Sequence, residues 1–239
     1  MRLPLPEDEA AAKAKQQAFE DIIKTFNESF SNVKIDLQAV SAETPLPKTL
    51  PNLFESTGTQ PNNATDLREF FETLDTNVYY FAGQFPTRQL PLGFVAPVIY
   101  VNTTLAQPDE IDAAEAISMT GAEAQELFFA GEAEAYFADT AEFSAVQKAL
   151  PARYAVLPVD SKQVQGSFSD LWSIGSCDKN QLKAAERLLL FMLSDNAQDI
   201  LHIRRRGGAV PVNQKAVQVF STVYSDFDGF FDNLDKYQF

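Results

Sequence analysis

The sequence predicts an α/β fold, on three observations. A short apolar stretch, a long amphipathic helix and an alternating strand follow one another at the spacing of a βαβ unit. The block from Gly166 to Asn213 reads as a glycine-led crossing segment, two helices in tandem and a short strand. Several short apolar runs bounded by proline and glycine lie between these two regions, as strands of a packed sheet do.

Taken in order, Arg2 to Pro6 reads as a first strand. Pro6 and the acidic run Glu7-Asp8-Glu9 then start a helix, since carboxylates are favoured at the positive end of the helix dipole. Phe19, Ile22, Ile23, Phe26 and Phe30 form its inner stripe, and Val33 to Val40 alternates like a half-buried strand. A proline-punctuated segment contains the apolar piece Leu50 to Phe54, which runs into Glu55-Ser56-Thr57-Gly58. A helix is expected from Thr65 or Asp66 to about Leu74, followed by the aromatic run Tyr79-Tyr80-Phe81. Arg88 to Asn102 reads as two short strands broken by Gly93 and Pro97. A helix then opens at Thr120-Gly121-Ala122-Glu123 and runs through Phe129, and Gly131 turns the chain into a strand ending at Asp139. Ala149 to Val159 reads as a further strand. Asp178 and Gln181 form a capping box for the next helix, with Leu182, Ala185, Leu188, Leu189 and Met192 on one face. Asp195 with Gln198 repeats the pattern for a second helix, which Gly207-Gly208 stop.

A chain of 239 residues buries a sizeable core as one large domain or two small lobes. A formal net charge of −14 excludes nucleic acid as a partner class, because phosphates are repelled without a basic patch. The one basic cluster, Arg204-Arg205-Arg206, is too short to line a duplex and suits the carbonyl end of its helix. Cys177 is the single cysteine, so no internal disulfide forms. No apolar run reaches the length of a membrane span. The opening MRLPLPEDEA lacks the apolar core of a signal peptide, so the chain reads as a mature fragment.

Candidate chemistry is sparse. A Ser–His pair has to use His202, the one histidine, which lies inside an amphipathic helix and reads as structural. Cys177 precedes a helix N-terminus, which could lower its pKa, but a buried structural thiol is the better reading. A multi-Cys/His zinc site is excluded by count. Asp226, Asp228, Asp232 and Asp235 are spaced suggestively for calcium, but Phe230 occupies a position where an EF-hand loop needs oxygen. No phosphate-cradling glycine motif occurs. No cofactor or metal is therefore expected, and the chain reads as a binding protein and not an enzyme. What remains is aromatic and polar residues at strand ends: Phe54-Glu55-Ser56, Asp139-Thr140 with Phe143, and Phe168 with Asp170 and Trp172. Ligands of α/β folds bind at the carboxyl ends of strands, and flat rings beside hydrogen-bonding groups suit a sugar or peptide-like ligand.

The order of these pieces resembles the extracellular solute-binding proteins of ABC importers, the maltose-binding-protein-like family. AFEDIIKTFNESF followed by NVKIDLQAV resembles that family's first helix and second strand. PNLFES is similar to its strand running into the cleft, and LPLGFVAPVIYVNTTL to the crossover strand. FFAGEAEAYFADTAEF, then YAVLPV, GSFSDLWSIGS, LLLFMLSDNAQ and GGAVPVN, complete the series over most of the chain. Two features depart from the pattern. Only a couple of dozen residues separate Asn102 from Phe128, where the family inserts a large part of lobe two, and ETPLPKTLP stands in place of a helix.

The resemblance implies a two-lobed periplasmic-binding-protein-like (type II) fold with a reduced second lobe. Residues 1–100 and 165–220 form lobe one, and 101–164 with 221–239 lobe two. It implies that Glu55, Ser56, Asp139, Thr140, Phe143, Phe168 and Trp172 face the cleft. It implies a monomer outside the cytoplasm, anchored to the membrane through a segment absent from this chain, that captures a small solute and hands it to an ABC transporter permease. A sugar or oligosaccharide is favoured over a peptide. The alternatives are a degenerate module kept for protein interaction or sensing, and a hydrolase acting through Asp139 or Glu55.

Overall fold

The computed structural model describes residues 1–56, 61–118, 120–159, 165–204, 209–234 and 237–239. Strand β1 (Arg2–Leu5) leads into helix α1 (Glu9–Ser29), and Asp8 caps that helix through its carboxylate on the Ala11 amide, 2.7 Å away. One side of α1 buries Phe19, Ile22, Ile23 and Phe26, while Phe30 ends the helix half-buried. Strand β2 (Gln38–Ser41) lies parallel to β1 with Arg2 opposite Gln38, which completes the βαβ unit. The strand expected from Val33 begins five residues later. Residues 33–37 alternate in exposure without pairing, so their pattern reflects a chain lying on the surface and not a ladder.

Strand β3 (Leu53–Ser56) is buried throughout and is followed by α2 (Arg68–Phe71), a single turn where a longer helix was expected. Leu67 gives α2 no side-chain cap, and beyond the helix Asp75 accepts from the Asn77 amide in a turn. Strands β4 (Leu90–Val95) and β5 (Pro97–Asn102) break at Ala96; Gly93 lies within β4 and Pro97 starts β5. Then follow α3 (Ala113–Ser118), α4 (Ala122–Ala130), β6 (Ala135–Asp139), α5 (Phe143–Ala149) and β7 (Tyr154–Pro158). Ala149 therefore ends a helix, and the strand expected from it begins at Tyr154.

Strand β8 (Ser167–Ile174) precedes α6 (Lys179–Met192), whose N-terminus carries the expected capping box. Asp178 accepts from the Asn180 and Gln181 amides, and Gln181 accepts from the Asp178 amide. The next helix, α7 (Asp195–Gln198), is capped by Ser194 and not by Asp195. It widens into a π-helical stretch, Asp199–Arg204, instead of ending in an ordinary turn. Gly207 and Gly208 lie outside the described residues. Strand β9 (Val210–Pro211), α8 (Gln214–Val223) and α9 (Asp228–Phe231) complete the chain.

Two compact units emerge. Unit 1 comprises Met1–Gly93, Phe168–Arg205 and Pro211–Val217, and is built on a six-stranded sheet ordered β2-β1-β3-β8-β4-β9. Its helices α1 and α6 cover the sheet, with Phe26 meeting Phe191 edge-on at 5.4 Å. Gln198 braces this unit from inside, donating to the Met192 carbonyl and accepting from the Val212 amide. Unit 2 comprises Phe94–Ser167, Arg206–Val210 and Gln218–Phe239. Its three-stranded antiparallel sheet has β5 at the centre between β6 and β7. Every residue of β5 is buried, as a central strand covered on both faces requires. One core cluster joins Ile99, Val101, Ala116, Ala135 and Val159. Elsewhere in this unit Phe143 sits among Tyr154, Tyr224 and Phe227 at ring separations of 6.1, 4.9 and 4.7 Å.

Candidate functional site

In unit 2 the carboxyl end of β6 opens onto a hollow of about 360 Å³. Asp139, the last residue of β6, caps the turn Thr140–Glu142 by accepting from the Ala141 amide at 2.8 Å. Its carbonyl accepts from the Tyr100 hydroxyl at 2.9 Å, so the strand end is held from both sides. The turn carries Glu142 into the same hollow, three residues after Asp139. Gln125 of α4 reaches across and donates to the Glu142 carboxylate at 3.0 Å, which fixes its orientation. The ring of Tyr136 and the Thr120-Gly121 start of α4 complete one wall, and Gln165 and Ser167 another. No lysine, arginine or histidine lines it among the described residues.

The electrostatics of this hollow are those of an acceptor surface. Burial, together with the nearby carboxylates of Glu142 and Asp139, pushes the Tyr136 phenol above its ordinary pKa. Tyr100 is pushed well up by burial first and by the same carboxylates after that. Both phenols therefore stay protonated at neutral pH, and the acidic side chains lining the hollow are Asp139 and Glu142. Such a surface accepts hydrogen bonds from hydroxyl or amine donors.

The residues expected at the site fall in several kinds of place. Asp139 is partly exposed at the hollow. Thr140 is 1% exposed and is spent on structure, its amide donating to the Ala96 carbonyl and its hydroxyl accepting from the Ala96 amide. Phe143 is 3% exposed in the aromatic cluster of unit 2. In unit 1, Trp172 is fully buried with its ring 5.1 Å from Phe19, so its faces pack the core and are not presented to solvent. Glu55 stands opposite Trp172 in the β3–β8 register, and both its oxygens are held by Lys15, at 2.7 and 2.6 Å. Ser56 accepts from Gln89 at 2.7 Å and meets the Ser173 hydroxyl at 3.4 Å, inside a buried polar network. Phe168 is half-buried, edge-on to Phe85 at 5.4 Å. The structure thus brings Asp139, Thr140 and Phe143 together in unit 2, and Glu55, Ser56 and Trp172 together in unit 1.

Sequence reasoning missed Glu142, Gln125 and Tyr136. The spacing Asp139-x-x-Glu142 after a strand was the available signal, since a single turn carries both carboxylates to one strand end. Two further residues depart from simple catalytic readings. His202 is buried with its Nε2 2.8 Å from the Leu92 carbonyl, inside the core of unit 1. The Cys177 thiol is pushed up by burial and by Asp178, the reverse of the lowering that a helix start could give. Asp199 binds Arg204 at 2.7 Å, whereas Arg205 and Arg206 lie outside the described residues.

The family model for bacterial extracellular solute-binding proteins matches residues 98–227, more than half of the chain. This chain belongs to that family. No curated protein matched. Among solved structures, the maltodextrin-binding protein MalE1 from L. casei BL23 is similar with a TM-score of 0.66 at 16% identity. That match covers 94% of this chain and 82% of the other. CpMnBP1 with mannobiose bound matches with a TM-score of 0.66 at 12% identity, over 100% and 88% of the two chains. UgpB from Mycobacterium tuberculosis, in complex with glycerophosphocholine, matches with a TM-score of 0.64 at 11% identity, over 98% and 87%. The expected α/β, binding-protein fold is therefore the one this solute-binding protein adopts, in a chain shorter than these neighbours. Among the described residues no helix is long and apolar enough to cross a membrane.

Proposed function

We propose that this solute-binding protein serves an ABC importer outside the cytoplasm, capturing a saccharide or similar hydroxyl-rich solute for a permease. The hollow of unit 2 carries the reading: two carboxylates and a protonated phenol face it, with no basic side chain among its described lining. At about 360 Å³ it falls at the small end of the range of about 300–1,000 Å³ usual for ligand sites. Charge supports a solute without anionic groups. Unit 2 holds 15 aspartates and glutamates against five lysines and arginines, so a phosphate or carboxylate is repelled both at long range and at the lining. Neutral sugar hydroxyls meet no such penalty and donate to carboxylates readily. In this reading Asp139 and Glu142 are the principal acceptors, and Gln125 positions Glu142.

The test is calorimetric titration of the whole chain with maltotriose, mannobiose and glycerophosphocholine, beside Glu142→Ala. A saccharide binds the wild type and loses about tenfold in affinity in the variant, the value of one hydrogen bond to a charged group. At a hundred times its dissociation constant the saccharide adds about 2.7 kcal/mol of stability. Silence from both saccharides, or equal binding by Glu142→Ala, refutes the reading. A second reading, a degenerate module for protein contact, draws on Val219 and Val223. They lie one turn apart on α8, and both are exposed. It predicts no solute response and association that is lost on Val223→Asp.

A further inference from the structure

The hollow of unit 2 has one wall that its own side chains do not hold. Gln165 and Ser167 line it, both are exposed, and neither side chain makes a hydrogen bond among the described residues. Their placement rests on the backbone, and residues 237–239 grip that backbone. The Gly166 amide, between the two lining residues, donates to the Gln238 carbonyl at 3.0 Å. The Phe239 ring lies so close to Gly166 that a Cβ there would clash with it. Gly166 is not left-handed, so its missing side chain serves this close approach and not a turn. The same ring meets Phe94 edge-on at 5.1 Å, and Phe94 adjoins Val95 of the lining. The Tyr237 hydroxyl donates at 3.0 Å to the carbonyl of Pro97, which itself lines the hollow, and accepts from the Val159 amide at 3.1 Å. All of these residues belong to unit 2. Three consecutive residues thus tie residues 94–97 to residues 165–167, two stretches far apart in the chain, and none of the three is among the hollow's described lining.

We propose that Tyr237, Gln238 and Phe239 are positioning residues for the solute: they clasp the wall of the hollow and so fix where the Gln165 amide and the Ser167 hydroxyl meet the captured molecule. The inference rests on the solute-binding reading above and adds to it two uncharged contacts and the device that orders them. Ordering a site before the ligand arrives raises affinity, because the entropy of fixing its groups is not lost on binding. Asp139 and Glu142 are held separately, by the Ala141 amide and by Gln125, so the clasp acts on the other wall alone.

The experiment is a double-variant cycle on the whole chain, read by calorimetric titration with maltotriose and mannobiose well below the melting point. Phe239→Ala binds the responding saccharide about fivefold more weakly than the wild type, the value of about one hydrogen bond. In a Gln165→Ala/Ser167→Ala background the same substitution costs no more than about twofold, because the groups it positions are gone. In a Glu142→Ala background it keeps its full cost. General loosening of unit 2 weakens binding equally in every background, so equal losses overturn the inference. If Phe239→Ala does not fold, Gly166→Ala displaces the ring without removing it and carries the same expectations. Saccharide affinity that both variants leave unchanged overturns this inference alone. If neither saccharide binds the wild type, the solute reading falls and this inference falls with it.

Discussion

Breaking the Lys15–Glu55 pair tests whether Glu55 supports the fold or serves the solute. The pair joins α1 to the end of β3, with side chains 11% and 6% exposed and Lys15 bridging both carboxylate oxygens. Replacing Lys15 with methionine keeps most of the volume and the apolar stem but leaves a carboxylate in the core beside Trp172. Removing one partner of a buried pair costs about 3–5 kcal/mol, since the remaining charge stays dehydrated and has lost its cation. In a chain of this size each 1 kcal/mol is worth about 2–4 °C, so the melting point of unit 1 falls by about 10 °C. Adding Glu55→Gln removes the stranded charge while keeping the side chain's shape, and the double variant recovers at least half of the loss. The coupling energy from the full cycle is then about 2 kcal/mol or more. Urea unfolding followed by fluorescence measures it directly, because Trp172 is the single tryptophan and is buried in this unit. A loss below about 1 kcal/mol for Lys15→Met refutes the reasoning. It shows that the carboxylate finds solvent or another partner, as a solute-facing glutamate does. Solute affinity measured well below the melting point supplies the second arm. The structural role leaves it unchanged in Lys15→Met.

Two further perturbations follow from close contacts and buried phenols. A Cβ at Gly175 clashes with the Pro51 carbonyl oxygen and lies 2.9 Å from that of Leu50, both backbone atoms. Gly175→Ala therefore destabilises unit 1 by about 3 kcal/mol, and a loss under 1 kcal/mol in urea melts shows that the β3 approach gives way easily. In unit 2, burial pushes the Tyr237 phenol up to about 12, while its hydroxyl accepts from the Val159 amide and donates to the Pro97 carbonyl. The native state thus keeps a proton that the unfolded chain releases near pH 10, so this contribution is complete below pH 10 and is lost as pH rises toward 12. The loss amounts to about 2–3 kcal/mol across that window. Tyr237→Phe flattens the alkaline slope in near-ultraviolet dichroism melts, and an unchanged slope assigns it to other groups.

Legibility in the sequence followed the range of the interaction involved. Helix α1 was readable because its acidic start and its stripe of Phe19, Ile22 and Phe26 are local patterns, and the Asp178–Gln181 box was readable for the same reason. The cap of α7 was misplaced by one residue because Ser194 and Asp195 are both good caps, and only the folded chain shows which oxygen reaches the Ala197 amide. The π-helical stretch left no local mark. Widening at Asp199–Arg204 sets His202 against the Leu92 carbonyl, a partner 110 positions away. Site residues were harder for a related reason. An aromatic or polar residue at a strand end is visible in sequence, but the side of the sheet it faces is not. Trp172 and Phe168 lie in one strand, yet the first is covered by Phe19 while the second stays half-buried at Phe85. Thr140 looked like a ligand group and instead clips β5 to β6 through Ala96, whereas Glu142, two residues on, escaped notice and lines the hollow. What separates the two is one turn. The Asp139 cap on the Ala141 amide shapes Thr140–Glu142 so that its first residue is buried against Ala96 and its last stays partly exposed at the hollow.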